Sequence, residues 1–366
     1  MSRNKINVWS YLEDHQTQKK DISKLVNEVF LSGRLILGNN LKSFEDNFSN
    51  WVGVQYGIGV GNGTDAIKLA LLALKIGKND EVITVSNTAV PTVSAIVEAG
   101  ADPVFCDVEE DYNISVKKIE SLISKKTKAI LLVHLYGHPA EVSKVKSICK
   151  KYGLFLIEDC AQSHGSKYKN KTTGSFGDIS AFSFYPTKIL GGYGDGGMCL
   201  TSKSTLNKKL RMLRFYGMKD LYFSEIENGV NSRLDEVHAA ILDYKLKFLD
   251  LDIEKRRKVA ALYNHELEDY DILLPEEKEN YFHSYYLYVV RHKNRTKIMK
   301  RLKEVDINCN ISYPYPIHSM PPFKKYKKST MRTTNKLSNE IFSLPLYPGL
   351  TEKKQYKVIK ELKKLL

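Results

Sequence analysis

The chain has 366 residues, of which 42% are hydrophobic and 27% charged, and this balance excludes an intrinsically disordered protein. Its net charge of +14 at pH 7 is spread along the chain without a recognition motif, which argues against nucleic-acid binding and leaves anionic small substrates open. The five cysteines lack metal-ligand spacing, which predicts reduced thiols in a cytoplasmic protein and no metal site. The polar N-terminus also favours a cytoplasmic protein, and the lack of a long uncharged stretch predicts that the chain has no membrane span.

The first two thirds of the chain alternate between short apolar runs and amphipathic helical patterns. The apolar runs that predict buried strands are 56–60, 82–85, 103–106, 129–133, 154–157, 179–184 and 198–200. Helical patterns lie between several of them, as at 66–74 and 142–151. Strands that alternate with helices predict an α/β fold, with a mostly parallel central sheet covered by helices on both faces.

The last third of the chain has a different pattern. A long helical stretch at 234–261 leads into a strand candidate at 285–291, and helical patterns follow at 295–304, 335–342 and 351–365. These elements are enough for a smaller α+β domain. We therefore predict a large domain over residues 1–245 and a small C-terminal domain over residues 246–366.

A glycine-rich turn follows the first predicted strand, with the sequence Gly61-Asn62-Gly63-Thr64-Asp65 before a helical pattern. Glycines let the backbone turn tightly, and the free N–H groups at a helix N-terminus bind phosphate. A simple turn capped by Thr64 or Asp65 is the alternative interpretation. If a phosphate binds here, the carboxylate of Asp65 is expected to point away from it, because two negative charges repel each other.

Two further segments carry reactive side chains. Asp159 follows the apolar run 154–157, at a strand end where open α/β sheets bind ligands, although an Asp is equally able to cap a helix. Lys188 leaves the run 179–184 and enters the glycine-rich bend 191–197. A lysine in apolar surroundings becomes a usable nucleophile or base, and a surface lysine on a turn is the alternative.

The three segments together predict more than any one of them. Pyridoxal phosphate (PLP) needs a phosphate site, a carboxylate that keeps its pyridine nitrogen protonated, and a lysine that carries its aldehyde carbon. The glycine-rich turn, Asp159 and Lys188 provide these groups in this order on an α/β chain. The sequence therefore predicts a PLP enzyme.

Ordered motifs along nearly the whole chain support this interpretation. They include Ser32-Gly33-Arg34-Leu35-Ile36-Leu37-Gly38, His134-Leu135-Tyr136-Gly137-His138-Pro139, Asn231-Ser232-Arg233-Leu234-Asp235-Glu236, Tyr313-Pro314-Tyr315-Pro316-Ile317-His318 and Ser343-Leu344-Pro345-Leu346. With the Asp159 and Lys188 segments, they make the chain resemble the DegT/DnrJ/EryC1/StrS family of PLP-dependent sugar aminotransferases. The resemblance implies fold type I, the architecture of aspartate aminotransferase, with a smaller α+β C-terminal domain.

The resemblance also implies roles for the matched residues. Lys188 would carry PLP, Asp159 would pair with its pyridine nitrogen, and Gln162 would bond its ring hydroxyl. The residues expected around the phosphate are Gly63, Thr64, Ser183 and, from the neighbouring subunit of a homodimer, Asn231. The residues expected in the substrate pocket are Tyr185, Tyr313 and His318. An aromatic residue that often stacks on the PLP ring in this family is matched here by Ala89.

The activity that the resemblance implies is transfer of an amino group from L-glutamate to a nucleotide-linked keto sugar. The pattern looks nearest to enzymes that aminate C3 of a dTDP-linked 3-keto-6-deoxyhexose. A C4 aminotransferase of a UDP-, GDP- or dTDP-linked 4-keto sugar and an inositol or aminobenzoate-type aminotransferase remain open. A dehydratase of this family would carry His in place of Lys188, and a non-catalytic PLP-binding regulator would not need intact Lys188, Asp159 and Ser183.

Overall fold

The computed structural model describes residues 5–366. Its helices are α1 (Leu12–Leu31), α2 (Asn39–Val52), α3 (Gly63–Ala73), α4 (Val90–Glu98), α5 (Val116–Ile119), α6 (Val142–Tyr152), α7 (Ser204–Leu213), α8 (Glu236–Leu246), α9 (Leu249–Leu267), α10 (Arg295–Glu304), α11 (Arg332–Glu340) and α12 (Glu352–Lys363). Its strands are β1 (Tyr56–Val60), β2 (Glu81–Val85), β3 (Asp102–Cys106), β4 (Thr127–Val133), β5 (Phe155–Asp159), β6 (Lys167–Tyr168), β7 (Lys171–Thr172), β8 (Ile179–Ser183), β9 (Gly197–Thr201), β10 (Met218–Asp220), β11 (Phe223–Ser224), β12 (Tyr281–Phe282), β13 (Tyr288–Arg291) and β14 (Ile341–Leu344). Within this described part, none of the helices combines the length and the apolar character needed to cross a bilayer.

Seven strands form the central sheet, in the order β1-β9-β8-β5-β4-β2-β3. The pairs from β8 through β5, β4 and β2 to β3 are parallel, whereas β9 runs antiparallel to both of its neighbours. Every strand of the sheet except β9 therefore runs in the same direction, and their carboxyl ends lie along one edge. The mostly parallel sheet predicted from the sequence is confirmed.

Helices cover both faces of this sheet, which explains why its strands read as continuous apolar runs. Along β4, Ala129 and Leu131 join a hydrophobic cluster that includes residues of α3, α4 and α7. The alternate residues Ile130 and Leu132 join a second cluster with residues of α6. Because successive side chains of a strand point to opposite faces, the two clusters lie on opposite sides of the sheet.

Beyond α8 the chain builds another hydrophobic cluster around the antiparallel pair of β13 and β14. Helices α9, α10 and α12 contribute to this cluster, and Ile6 near the N-terminus joins it and pairs with Ile307. The elements are those of an α+β unit. The boundary between a domain over residues 1–245 and a domain over residues 246–366 stays a prediction.

Two helical predictions are wrong in detail. The pattern at 234–261 forms two helices, because the N–H groups of Lys247 and Phe248 bond carbonyls three residues back and tighten the last turn of α8. The pattern at 335–342 stops being helical after Glu340, because the residues that follow pair with β13. The apolar patterning also does not predict α1 and α2.

Candidate active site

The carboxyl ends of β1, β2, β4, β5 and β8 meet around a cavity of about 280 Å³, which we call the strand-end cavity. Ligands of open α/β sheets bind at such an edge. The residues that line it are Asn62, Gly63, Thr64, Ile67, Thr88, Ala89, Pro91, Thr92, Val133, Asp159, Ala161, Gln162, Ser183, Tyr185, Lys188 and Asp195. The glycine-rich turn, Asp159 and Lys188, which the sequence predicts to act together, thus share one cavity.

The glycine-rich turn opens helix α3 beside the cavity. Asn62 is the N-cap residue, and its side-chain oxygen accepts the N–H of Asp65 at 2.8 Å. The N–H groups of Gly63 and Thr64 lie in the first turn, where a helix offers no acceptor of its own. A Cβ at position 63 would lie 2.7 Å from the Cβ of Ser183, so glycine keeps the space between α3 and β8 open. Backbone donors flanked by hydroxyl groups suit an anion such as phosphate.

Asp159 ends β5 and presents a buried carboxylate to the cavity. Its Oδ2 accepts the hydroxyl of Thr92 at 2.8 Å, and its Oδ1 accepts the backbone N–H of Ala161 at 3.1 Å. Burial raises the pKa of the Asp159 carboxyl, and the two hydrogen bonds and the charge of Lys188 oppose this rise. No helix begins between β5 and α7, so Asp159 does not cap a helix. A carboxylate held in this way stabilises a protonated nitrogen next to it.

The neighbouring Glu158 belongs to the framework rather than to the cavity. Its carboxylate accepts the N–H of Gly177 at 2.7 Å and Nε2 of His134 at 3.0 Å. Burial alone would raise the pKa of the Glu158 carboxyl, but the bonds from His134 and the backbone hold it below its ordinary value. His134, Glu158 and Cys160 place possible metal-ligand atoms within 4.8 Å of one another. Because Nδ1 of His134 accepts the N–H of Ala140, its Nε2 carries the proton that it donates to Glu158.

Lys188 stands on the turn that follows β8. Its N–H donates to the carbonyl of Tyr185 at 2.8 Å, which closes the turn. Its Nζ lies 4.9 Å from the centre of the Tyr286 ring, and the Tyr286 hydroxyl is 3.1 Å from Oγ1 of Thr187. The side chain of Lys188 is half-buried and lines the cavity, so it is not a solvated surface lysine. The aromatic face of Tyr286 thus borders the Lys188 amine, whose access to solvent is limited.

Gln162 faces the cavity from the turn after β5. Its Oε1 accepts the backbone N–H of Tyr136 at 2.9 Å, so its Nε2 remains a donor. That Nε2 donates to the hydroxyl of Tyr313, which comes from the C-terminal part of the chain. Burial raises the pKa of the Tyr313 phenol above its ordinary value. This bond connects the C-terminal part of the chain to a residue of the cavity.

The other predicted residues lie in three different settings. Tyr185 lines the cavity with 51% of its surface exposed. His318 does not line it: the side chain is buried, and its Nδ1 lies 2.6 Å from the hydroxyl of Ser86. Asn231 is exposed and lies outside the cavity of its own chain, with its backbone paired to Phe215. The roles of these residues in substrate binding and in the partner subunit stay predictions.

Several residues of the site carry no signal of their own in the sequence. Thr92 bonds Asp159, Tyr286 contacts Lys188, and Asp195 lines the cavity. Thr92 belongs to α4, the first element after β2, and this order is the one clue that places it near the same sheet edge. Ala89 also lines the cavity, and within residues 5–366 Tyr185 is the one aromatic residue that does.

The groups of the cavity fit PLP part by part. The first turn of α3 and the hydroxyl of Ser183 suit its phosphate, Asp159 suits its pyridine nitrogen, and Nε2 of Gln162 suits its ring hydroxyl. Lys188 supplies the amine that PLP enzymes need for their covalent link to the cofactor.

The model of the DegT/DnrJ/EryC1/StrS aminotransferase family matches residues 16–363. The chain belongs to this family. It is 44% identical to the dTDP-3-amino-3,4,6-trideoxy-alpha-D-glucose transaminase of Micromonospora megalomicea subsp. nigra over 98% of each chain. It is 40% identical to the pleiotropic regulatory protein of Geobacillus stearothermophilus over 96% of this chain and 95% of the relative. It also superposes on S. venezuelae DesV, solved in complex with a ketimine intermediate, with a TM-score of 0.96 and 33% identity over 99% of this chain and 98% of that one.

Membership of the DegT/DnrJ/EryC1/StrS family confirms two predictions made from the sequence. The architecture is fold type I, and the protein is a PLP-dependent aminotransferase. This enzymatic identity argues against the alternative of a non-catalytic PLP-binding regulator.

Proposed function

We propose that this DegT/DnrJ/EryC1/StrS aminotransferase transfers an amino group from L-glutamate to C3 of a dTDP-linked 3-keto-6-deoxyhexose. The observation that carries the proposal is the 44% identity, over 98% of each chain, to a transaminase named for a dTDP-3-amino sugar. The net charge of +14 favours a substrate that carries a diphosphate.

The proposed chemistry divides between two residues. PLP supplies an electrophilic carbon and an electron-withdrawing ring when it is bound. Lys188 would hold that carbon through Nζ at rest and, once the amino donor has displaced it, accept and return the proton that moves during transamination. Asp159 would keep a proton on the ring nitrogen, because its carboxylate is buried and oriented by Thr92 and Ala161.

The remaining residues would bind and orient. Gly63, Thr64 and Ser183 would hold the phosphate through N–H and hydroxyl donors, and Gln162 would donate to the ring hydroxyl. The proposed substrate pocket consists of Tyr185, Tyr313 and His318, of which Tyr185 has the most exposed side chain. The bond from Gln162 to Tyr313 supports this arrangement, because it brings Tyr313 next to a residue that lines the strand-end cavity.

We infer that the active unit is a homodimer in which Asn231 reaches the partner's phosphate site. Asn231 is exposed, and the hairpin of β10 and β11 that precedes it presents Leu221, Tyr222 and Phe223 with 75%, 89% and 60% of their surfaces exposed. Three consecutive exposed apolar side chains are typical of a surface that another chain covers.

We also propose that the enzyme is cytoplasmic. All five cysteines are free and four are buried, which supports this location.

The reverse reaction tests the proposed substrate, because amino sugars are more stable reagents than keto sugars. The enzyme is supplied with 2-oxoglutarate and either a dTDP-3-amino-6-deoxyhexose or its 4-amino isomer, and glutamate formation is measured. The 3-amino sugar is expected to react with at least ~10-fold higher kcat/KM, which is about 1.4 kcal/mol of transition-state stabilisation. The Lys188→Ala protein is the blank.

Three results would redirect the proposal. Faster turnover of the 4-amino isomer, or of a UDP- or GDP-linked amino sugar, would replace the C3 assignment or the nucleotide. Turnover of an amino-inositol in preference to every nucleotide sugar would remove the sugar-nucleotide assignment altogether. Oxaloacetate or pyruvate acting better than 2-oxoglutarate would replace glutamate as the donor.

A further inference from the structure

Ser232 is buried beside the glycine-rich turn but does not line the strand-end cavity. Its hydroxyl accepts the N–H of Gly61 at 2.9 Å and donates to Oδ2 of Asp65 at 2.6 Å. Nδ2 of Asn62 reaches the same oxygen at 3.0 Å. Two donors therefore hold the Asp65 carboxylate, and Asp65 is absent from the lining of the cavity.

These hydrogen bonds matter because of where the Asp65 carboxylate lies. Asp65 is the third residue of α3, so it stands in the same first turn whose N–H groups, at Gly63 and Thr64, border the cavity. A carboxylate there is stabilised by the helix dipole. An anion bound at the same helix end would repel it, and a carboxylate free to rotate would compete for the same N–H groups.

We propose that Ser232 is a positioning residue that keeps the Asp65 carboxylate away from the phosphate of bound PLP. The inference rests on the proposed function, in which Gly63, Thr64 and Ser183 hold that phosphate. Ser232 comes from the segment between the β10–β11 hairpin and α8, where its N–H donates to the carbonyl of Arg214 at 3.0 Å. The phosphate site thus depends on a hydroxyl that is far away in the sequence.

The affinity of the apo protein for PLP and for pyridoxal, which lacks the phosphate, separates charge positioning from a general structural role. Ser232→Ala is expected to weaken PLP binding by about tenfold, because the Asp65 carboxylate then keeps only the side chain of Asn62 as a donor and can turn toward the phosphate and repel it. Binding of pyridoxal and kcat at saturating PLP are expected to stay unchanged. Adding Asp65→Asn to Ser232→Ala is expected to restore the PLP affinity to within about twofold of wild type, because the amide is neutral.

Ser284→Ala is the matched control, since its buried hydroxyl also bonds a neighbour, Ser166 at 2.8 Å, away from the cavity. It is expected to leave the PLP affinity unchanged. If Ser232→Ala does not fold, Ser232→Cys keeps the shape and weakens the donor. Equal losses for PLP and pyridoxal, or no recovery in the double variant, would overturn the proposal. An unchanged PLP affinity in Ser183→Ala would instead refute the phosphate site on which the inference rests.

Discussion

The strand-end cavity and the hairpin of β10 and β11 with Asn231 are opposite kinds of surface. In the cavity the reactive groups are already partnered by the chain itself: both oxygens of Asp159 accept hydrogen bonds, and Gln162 is held from two sides. The hairpin instead exposes Leu221, Tyr222 and Phe223, and Asn231 beyond it is also exposed. One chain therefore orients Asp159 and Gln162 by its own hydrogen bonds, whereas the hairpin leaves apolar side chains exposed, as the proposed homodimer requires.

The largest expected effect comes from a substitution in the strand-end cavity. Lys188→Ala is expected to lower transamination by ~10²–10⁴-fold or more, because it removes the amine that moves the proton. The variant is expected to bind PLP still, because the proposed phosphate site is unchanged. Steady-state assays measure transamination, and the near-visible absorbance of the purified protein measures bound PLP. Borohydride reduction of the wild type followed by peptide mapping should label Lys188. A label on another lysine would refute the assignment.

Asp159→Asn is expected to keep PLP and to lose on the order of 10²-fold in kcat, because an amide cannot hold the pyridine nitrogen protonated. Thr92→Val is the matched control. It removes one hydrogen bond to Asp159 but leaves the charge, so a loss of about tenfold is expected. Stopped-flow or steady-state rates at saturating PLP compare the two. Near-normal turnover in Asp159→Asn would show that the carboxylate has no part in the chemistry.

A subunit-complementation assay tests whether Asn231, which follows the β10–β11 hairpin, acts in the partner subunit. Lys188→Ala is mixed with Asn231→Asp, whose new charge should repel the partner's PLP phosphate, under conditions that exchange subunits. One site of each mixed dimer then combines wild-type Lys188 with wild-type Asn231, so roughly a quarter of wild-type activity is expected in the mixture. Native mass analysis confirms that mixed dimers are present. Activity that stays at the sum of the parents, with mixed dimers present, would show that Asn231 does not act across the interface.

The smallest expected effect concerns His238, whose side chain lies next to the glycine-rich bend after Lys188. Its Nδ1 is 2.8 Å from Oδ2 of Asp235, and a Cβ at Gly194 would lie 2.6 Å from its Nε2. The hydrogen bond with Asp235 raises the pKa of His238 against the opposing effect of burial, and the charge of Asp195 adds to the rise. A raised folded-state pKa means that this stabilisation is complete below about pH 6.5 and is lost as the pH rises through the folded-state value.

Thermal unfolding of wild type and His238→Gln checks this pH dependence. The Tm advantage of the wild type is expected to be about 1–2 °C near pH 6 and to shrink by about pH 8.5, a range in which Asp235 stays ionised. An advantage that is constant over this range, or that grows as the pH rises, would contradict the assigned direction.

The sequence by itself determined the fold class and the three segments that meet at the strand-end cavity. The predicted strands at 56–60, 82–85 and 103–106 agree with β1, β2 and β3 to within a residue at each end, because an apolar run bounded by turn residues is a local property. The order of the glycine-rich turn, Asp159 and Lys188 also predicted that they meet in one site, because parallel strands bring their carboxyl ends to one edge of the sheet whatever the details of packing.

Only the tertiary structure decided how these groups are held. The pairing of β14 with β13 arises where contacts with another segment outweigh local helical preference. The bonds from Thr92 to Asp159, from Gln162 to Tyr313 and from Ser232 to Asp65 join residues 67, 151 and 167 positions apart. No pattern along the chain encodes such pairs, because each depends on the relative positions of elements that meet only after the sheet has formed.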